Sequence, residues 1–189
     1  VLAQTLLHID VTCVNDTSTD GSSKILEEYA GKDRRITVVT QPNGGAGAAR
    51  NKGLSMATGK YLSFLDADDF FEPDMLKLAY EKAEEDKADF VVFNSDQYYT
   101  EKDKFVEVAW TLRLKEIPPY TPFNHRQMTD NFFKVFVGWA WDKLYSREFV
   151  ERHDLLFQEQ RTSNDLLFVF SAVAIAERIS VVNKALAHQ

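Results

Sequence analysis

The sequence predicts an α/β fold in which a mostly parallel sheet is flanked by helices. Short β-like runs alternate with helical patterns through the first half of the chain, as expected of strand–helix–strand crossovers. The 189 residues are 44% hydrophobic and 13% aromatic, which is sufficient for one packed core. Acidic and glycine-rich segments follow the strand-like runs directly, where ligands bind in open α/β sheets. We therefore expect a binding site at the carboxyl ends of the strands.

The elements of the first half follow one another at regular spacing. Asp20 is a suitable N-cap for the first helix, and Pro73 suits the first turn of the third. The predicted strands lie at 9–14, 36–40, 61–65 and 90–94, and the predicted helices at 24–30, 46–57 and 73–86. We interpret residues 1–94 as the half that binds a nucleotide-type ligand.

The pattern changes from about residue 95 onward. Charged and aromatic residues over 97–114 indicate a hairpin or an excursion, and three of the five prolines fall within 117–122. Further helices are predicted at 126–136, 147–152 and 165–177, and a final strand at 179–182. We interpret residues 95–189 as the half of the same domain that shapes the site of a second substrate.

Charge and rare residues exclude several classes of function. The net charge of -7 argues against a general nucleic-acid binder, since phosphate backbones require clustered Lys and Arg. The single cysteine, Cys13, excludes an internal disulfide and a cysteine-based metal cluster. The four histidines show no ligand spacing and no paired Ser or Cys nucleophile, so neither a zinc site nor a catalytic triad is supported.

Five acidic residues follow the third predicted strand in the segment "FLDADDFFEPDML". Asp66 and Asp68 are two residues apart, so in extended backbone their carboxylates face the same side. Carboxylate oxygens are the ligands that Mg²⁺ and Mn²⁺ prefer, but a solvated acidic turn has the same composition. We expect the remaining three to favour the positive N-terminal end of the next helix. These three are Asp69, Glu72 and Asp74.

Two further segments also follow predicted strands. Asp16 could accept hydrogen bonds from a base or a sugar edge, or it could be an ordinary turn aspartate. The segment 45–50 nearly matches the dinucleotide-binding fingerprint, but Arg50 stands where a third small residue is expected. Its small residues could instead allow a close helix contact. Arg50 could face a diphosphate or pair with a nearby carboxylate.

A last candidate lies before the predicted helix at 165–177. Ser163 can cap that helix, and Asp165 would then lie in its first turn. A carboxylate is favourable there for electrostatic reasons alone. A general base facing the second substrate is the alternative for Asp165.

Four segments occur in an order and spacing that resembles the family-2 glycosyltransferases of the GT-A type. They are "VNDTSTDGS", "QPNGGAGAARNKGLSMATGKYLSFLDADD", "GWAWDKLYSREFV" and "SNDLLF". The resemblance covers essentially the whole chain. It implies a Rossmann-like GT-A fold, a nucleotide-sugar donor, a divalent cation (Mn²⁺ or Mg²⁺) and inversion at the anomeric carbon.

The resemblance also implies roles for five residues. Asp16 matches the aspartate that contacts the donor's base, and Arg50 matches a position near the nucleotide. Asp66 and Asp68 match the Asp-x-Asp motif, of which one carboxylate reaches the ribose and one the metal. Asp165 matches the carboxylate of the family's Glu-Asp pair, the base that deprotonates the acceptor hydroxyl.

Three departures from the family pattern stand out. Thr17 occupies a position where the family usually has Gly, and Asn164 replaces the Glu of the Glu-Asp pair. The family's first strand is expected ahead of Val1, so the chain is expected to be a fragment that lacks it.

The resemblance thus implies an inverting transferase of the bacterial cell-surface polysaccharide class. Its donor is expected to be a UDP-sugar and its acceptor a glycan or a lipid-linked sugar, with the protein in the cytoplasm at the inner membrane surface. Thr17 and Asn164 motivate one alternative, a non-catalytic module that binds a nucleotide-sugar. The fingerprint-like segment 45–50 motivates another, a nucleotide-dependent oxidoreductase.

Overall fold

A computed structural model describes residues 1–108 and 110–189. The strands are β1 (Val11–Asn15), β2 (Ile36–Thr40), β3 (Tyr61–Leu62), β4 (Phe70–Phe71), β5 (Phe90–Tyr99), β6 (Lys104–Glu107), β7 (Lys143–Ser146) and β8 (Ile179–His188). The helices are α1 (Ser22–Lys32), α2 (Gly45–Met56), α3 (Met75–Asp86), α4 (Phe132–Val135), α5 (Arg147–Arg152) and α6 (Leu166–Ile175). Short 3-10 helices lie at Thr100–Lys102, Leu114–Glu116 and His125–Gln127.

The strands form two sheets, and the α/β class is confirmed. Strands β1 and β2 pair in parallel as a two-stranded sheet. The larger sheet has the order β3-β7-β5-β8-β4, with β6 paired to β5. In it only β5 and β8 are parallel, and the other pairings are antiparallel. The pairing is therefore mixed rather than mostly parallel, because β7 inserts antiparallel between β3 and β5.

Several predicted elements differ from the observed ones in their bounds. Only Tyr61–Leu62 of the predicted strand 61–65 lies in a ladder, because the chain leaves the sheet before the acidic residues. Strand β5 runs on to Tyr99 and forms the expected hairpin with β6. The predicted helix 126–136 is instead a 3-10 turn followed by the single turn of α4. Of the helices in the described residues, none is long and apolar enough to cross a membrane.

Strand β5 divides the core into two layers because successive side chains point to opposite faces of a sheet. Phe90 and Val92 join a cluster that contains Tyr145 of β7 and Phe168 of α6. The other cluster takes Val91 and Phe93 together with α3; its further members include Met75, Trp141 and Leu186. Helices α3 and α6 therefore lie on opposite faces of the larger sheet. Phe168, near the start of α6, packs against β5 and β7.

Candidate active site

Arg50 of α2 joins the acidic loop to the segment that precedes α6. Its Nη2 lies 2.5 Å from Asp66 Oδ1, and its Nη1 donates to Asn164 Oδ1 at 2.5 Å. The Arg50 side chain is 16% exposed and that of Asp66 33%, so the ion pair is partly shielded from water. Hydrogen bonds between charged partners in such surroundings are stronger than neutral ones. Arg50 therefore fixes the acidic loop relative to the start of α6.

A close approach of α2 makes this bridge possible. A Cβ added to Gly47 would lie 2.0 Å from the backbone oxygen of Gln158, so only glycine fits there. Asn51, one turn further along α2, exchanges two hydrogen bonds with the backbone of Phe157, at 2.9 and 2.8 Å. The small residues of α2 thus allow a close helix contact, as one interpretation of the sequence expected, and its partner is the segment 157–164.

Asp165 lies at the N-cap position of α6, two residues later than Ser163, which the sequence suggested as the cap. Its side chain makes no capping hydrogen bond in the structure, so helix capping does not account for the carboxylate. Burial raises the pKa of Asp165 above its ordinary value. The charge of Asp66 also raises it, whereas Arg50 and Lys143 act in the opposite direction. The charge of Asp66 thus acts on Asp165 across the gap that the Arg50 bridge spans.

The acidic loop between β3 and β4 crowds three carboxylates together. Asp68 is exposed, while Asp69 is partly buried. Burial raises the pKa of Asp69 to about 6, and the charges of Asp66 and Asp68 add to this. Carboxylate oxygens are the ligands that a hard divalent cation takes together with oxygen ligands from a substrate. Among the described residues, however, no group of three or more His, Cys, Asp or Glu side chains is arranged so that it could hold a metal ion.

The other acidic residues of this stretch do not all act on the helix as expected. Helix α3 begins at Met75, so Asp69 lies too far from its N-terminus. Asp74 does occupy the N-cap position, but its side chain pairs with Lys184 at 2.8 Å rather than capping the helix. Glu72 lies 3.1 Å from the ring of His188 on β8. The expectation for these three residues is therefore correct in position for Asp74 alone.

Asp16 lies after β1 and holds the glycine turn that begins α2. Its Oδ1 accepts hydrogen bonds from Gln41 Nε2 and the Gly44 amide, both at 2.9 Å, and its Oδ2 accepts from the Gly45 amide at 2.7 Å. Burial raises the pKa of Asp16, but these bonds together lower it below its ordinary value. A protein carboxylate therefore occupies the helix N-terminus where a dinucleotide fingerprint would place a pyrophosphate.

A buried ion pair behind Asp165 had no role in the sequence interpretation. Lys143 and Asp142 are 0% and 1% exposed, and Lys143 Nζ lies 2.5 Å from Asp142 Oδ1. Burial raises the pKa of Asp142 to about 6, and Lys143 partly offsets this. The hydroxyl of Tyr145 and Oδ2 of Asp142 are buried without a hydrogen-bond partner in the described residues. The consecutive Asp and Lys in "GWAWDKLY" were the only sequence signal for this pair.

Residues 1–154 match the model of the family described as glycosyl transferase family 2. The chain belongs to this family. EpsJ of Bacillus subtilis (strain 168), described as an uncharacterized glycosyltransferase, is 35% identical over 187 residues, which cover 98% of this chain and 54% of EpsJ. The family-2 chain thus spans about half the length of this relative.

Solved structures confirm the GT-A fold of this family-2 chain. S. aureus TarS, residues 1–349 in complex with UDP, matches with a TM-score of 0.78 at 24% identity, covering 99% of this chain and 53% of that one. The mannosyltransferase PcManGT from Pyrobaculum calidifontis, in complex with GDP-Man and Mn²⁺, matches with a TM-score of 0.63 at 18% identity, covering 95% and 47%. The oxidoreductase alternative is left without support. The chain belongs to a transferase family, and the Asp16 carboxylate occupies the N-terminus of α2, where that alternative requires a pyrophosphate.

Proposed function

We propose that this chain transfers a sugar from a nucleoside-diphosphate donor to an acceptor hydroxyl, with inversion and with the help of a divalent cation. The donor is a UDP-sugar, and the acceptor is a glycan or a lipid-linked sugar. The observation that carries the proposal is the bridge from Arg50 to Asp66 and Asn164. It links Asp66 of the acidic loop to Asn164, the neighbour of Asp165, although the two segments are about a hundred residues apart in sequence, and this supports a shared site.

In this proposal residues 1–94 hold the donor and 95–189 shape the acceptor side. Asp16 contacts the base. Its carboxylate accepts three hydrogen bonds from the protein, and a carboxylate has about four acceptor positions, so one remains for the base. Asp66, which Arg50 holds in place, faces the ribose. Arg50 thus serves the donor by orienting a carboxylate, which is one of the two roles that the sequence left open.

Asp68 is the residue that we propose to hold the cation, with Asp66 as its neighbour on the same loop. Asp68 is exposed, whereas Asp66 already meets a guanidinium, so Asp68 is the freer of the two to meet a metal. The oxygen ligands fit Mn²⁺ or Mg²⁺. When bound, such a cation stabilises the negative charge that the diphosphate gains on leaving.

Asp165 is the proposed general base. Its raised pKa gives it a greater affinity for the proton of the acceptor hydroxyl than an exposed aspartate has. The proton passes to an Asp165 carboxylate oxygen as the acceptor oxygen attacks the anomeric carbon. Attack comes from the face opposite the diphosphate, so the new glycosidic bond has the inverted configuration.

Transfer can be tested by measuring UDP release by the purified protein from UDP-GlcNAc, UDP-glucose and UDP-galactose in the presence of a panel of glycan and lipid-linked acceptors, with and without Mn²⁺. Asp68→Ala and Asp165→Asn should each reduce the rate by about a hundredfold or more. Asp10→Asn is a matched control, since Asp10 is exposed and lies outside the site. Wild-type rates in both site variants would refute the proposal.

A second candidate function is a module that binds a nucleotide-sugar without turnover. It is favoured by Asn164, a neutral residue in contact with Arg50 at the position of the family's Glu. Calorimetry that finds tight UDP-GlcNAc binding, together with no UDP release across a broad acceptor panel, would support this function over transfer.

The proposed location is the cytoplasm at the inner membrane surface, where a lipid-linked acceptor would be available. The motivation is the acceptor class and the resemblance to cell-surface polysaccharide enzymes. Cell fractionation that recovers the protein outside the cytoplasmic and inner-membrane fractions would contradict it.

A further inference from the structure

We infer that buried Lys143 is a positioning residue for Asp165, acting through the loop 137–141. This inference rests on the proposed function, because it takes Asp165 as the reacting base. Lys143 itself lies on β7 and is 0% exposed, so it is not placed to meet a substrate.

The ammonium group of Lys143 closes the loop 137–141 onto β7. Its Nζ lies 3.1 Å from Val137 O, 2.7 Å from Trp139 O and 2.5 Å from Asp142 Oδ1. An ammonium group has three N–H donors, and these three acceptors use all of them. The side chain is therefore committed to holding the loop.

The loop 137–141 in turn packs against side chains at the start of α6. A Cβ added to Gly138 would lie 2.2 Å from Leu166 Cδ2 and 3.0 Å from Phe170 Cε2. Leu166 is the residue after Asp165, so the backbone at Gly138 packs against the side chain that directly follows the base. The same loop is stiffened by aromatic contacts, since Trp139 stacks on Trp141 at 4.8 Å. The loop is thus an ordered segment packed against the side chains of Leu166 and Phe170 near the start of α6.

Fixing the loop 137–141 with a buried ion pair costs free energy. Burying two charges requires desolvation that their attraction often fails to repay, and apolar residues of similar volume are commonly as stable. Asp142 Oδ2 and the Tyr145 hydroxyl add the cost of buried groups that have no hydrogen-bond partner in the described residues. What an apolar pair could not do is hold the carbonyls of Val137 and Trp139 at fixed positions. This points to geometry rather than stability as the use of the pair.

The contact between the loop and α6 can be tested without disturbing the buried charges. Gly138→Ala should push against Leu166 and Phe170 together and so shift the first turn of α6, and the protein should still fold because Leu166 is 41% exposed and no backbone atom is met. We expect kcat for UDP release to fall about tenfold, since small displacements of a catalytic group are costly. The KM for the nucleotide-sugar should change less than about twofold, because Asp16 and Asp68 lie on other segments.

A second-site change should reverse this effect. Leu166→Ala removes the atom that the new methyl group meets, so Gly138→Ala/Leu166→Ala should recover to within about threefold of the kcat of Leu166→Ala alone. A kcat within twofold of wild type in folded Gly138→Ala would overturn the inference, and so would a loss that the double variant does not recover.

The role of Lys143 is tested with a double variant. Lys143→Met alone would leave the Asp142 carboxylate buried and unpaired, and this would strongly destabilise the protein. Asp142→Asn/Lys143→Met removes both charges. If it folds, as judged by thermal unfolding and UDP binding, kcat should fall about tenfold or more at an unchanged donor KM. Wild-type kcat in this folded variant would overturn the inference. If it does not fold, the Gly138 series decides.

Asp165→Asn in the same assay separates the role of Asp165 as the base from the positioning role of Lys143. If Asp165→Asn is as active as wild type, the proposed base is wrong and the positioning role fails with it. If Asp165→Asn is inactive while the Gly138 and Lys143 variants retain full kcat, only the positioning role fails.

Discussion

Arg50 and Asp66, sixteen residues apart in the sequence, meet in a 2.5 Å ion pair, and the second guanidinium nitrogen reaches Asn164. One side chain therefore ties the acidic loop to the segment that presents Asp165. Since Asn164 is neutral, Asp66 is the anionic partner in this bridge. The geometry makes Arg50 a test of whether the two sides of the site must be held together.

Arg50→Lys should impair turnover although it keeps the charge. The ammonium group of Lys cannot present two nitrogens in the fixed fork that reaches Asp66 and Asn164 together. We expect kcat/KM for UDP release to fall about tenfold or more. Arg34→Lys is the matched control because Arg34 is exposed. Equal activity of both variants would show that the bridge is dispensable.

The acidic limb of the pH–rate profile should report Asp165. As a base, Asp165 must be ionised, and its pKa is raised, so activity should decline at a pH above the ordinary aspartate range. Arg50 lowers this pKa, so Arg50→Gln should move the limb to higher pH. The check is kcat/KM measured from pH 4 to 8, with Arg34→Gln as control. A shift to lower pH in Arg50→Gln would contradict the assignment.

Gly47→Ala should destabilise the protein strongly. Its methyl group would lie 2.0 Å from the backbone oxygen of Gln158, and backbone cannot yield as a side-chain end can. We expect a loss of about 1–3 kcal/mol or more in the free energy of unfolding, measured by urea denaturation. Gly31→Ala, in α1 with no atom within 4 Å of the added Cβ, should instead gain about 0.5–1 kcal/mol. A loss in Gly31→Ala as large as in Gly47→Ala would argue against a specific clash.

Thr17 should be a strained residue. Its φ is 59°, in the left-handed region that β-branched residues rarely adopt, and this explains why the family usually has Gly there. The Thr17 hydroxyl donates to Gln41 O at 2.5 Å, so a fair comparison removes it from both variants. Thr17→Gly should be more stable than Thr17→Val by about 1 kcal/mol in chemical denaturation. Equal stabilities would mean that the position carries no strain.

The sequence predicted the α/β class and the positions of the candidate residues at the ends of elements, because both depend on local patterns. Strand-like runs and the acidic residues after them placed Asp66 and Asp68 in the loop that follows β3, and the helix pattern placed Asp165 at the start of α6. Strand β7 was not predicted because it has only four residues and begins with Lys143. The burial of this lysine could not be predicted from the sequence pattern. Its insertion made the sheet mixed.

Partners across the fold were beyond sequence reasoning. Whether Arg50 meets a diphosphate or a carboxylate depends on how closely α2 approaches the segment 157–164, which Gly47 decides only in three dimensions. Glu72 was likewise predicted to interact with the N-terminal end of the next helix. In the structure its carboxylate lies next to His188 of β8, which no local pattern indicated. The roles of Asp16, Arg50, Asp66, Asp68 and Asp165 toward a substrate remain predictions.

The most direct test of the proposed transfer compares Asp165→Asn with Asp10→Asn in Mn²⁺-dependent UDP release from the three UDP-sugars in the presence of the acceptor panel. The proposal predicts that wild type and Asp10→Asn release UDP at similar rates. It also predicts that Asp165→Asn binds UDP normally and turns over about a hundredfold more slowly or less. Wild-type turnover in Asp165→Asn would contradict the central claim that this carboxylate is the base.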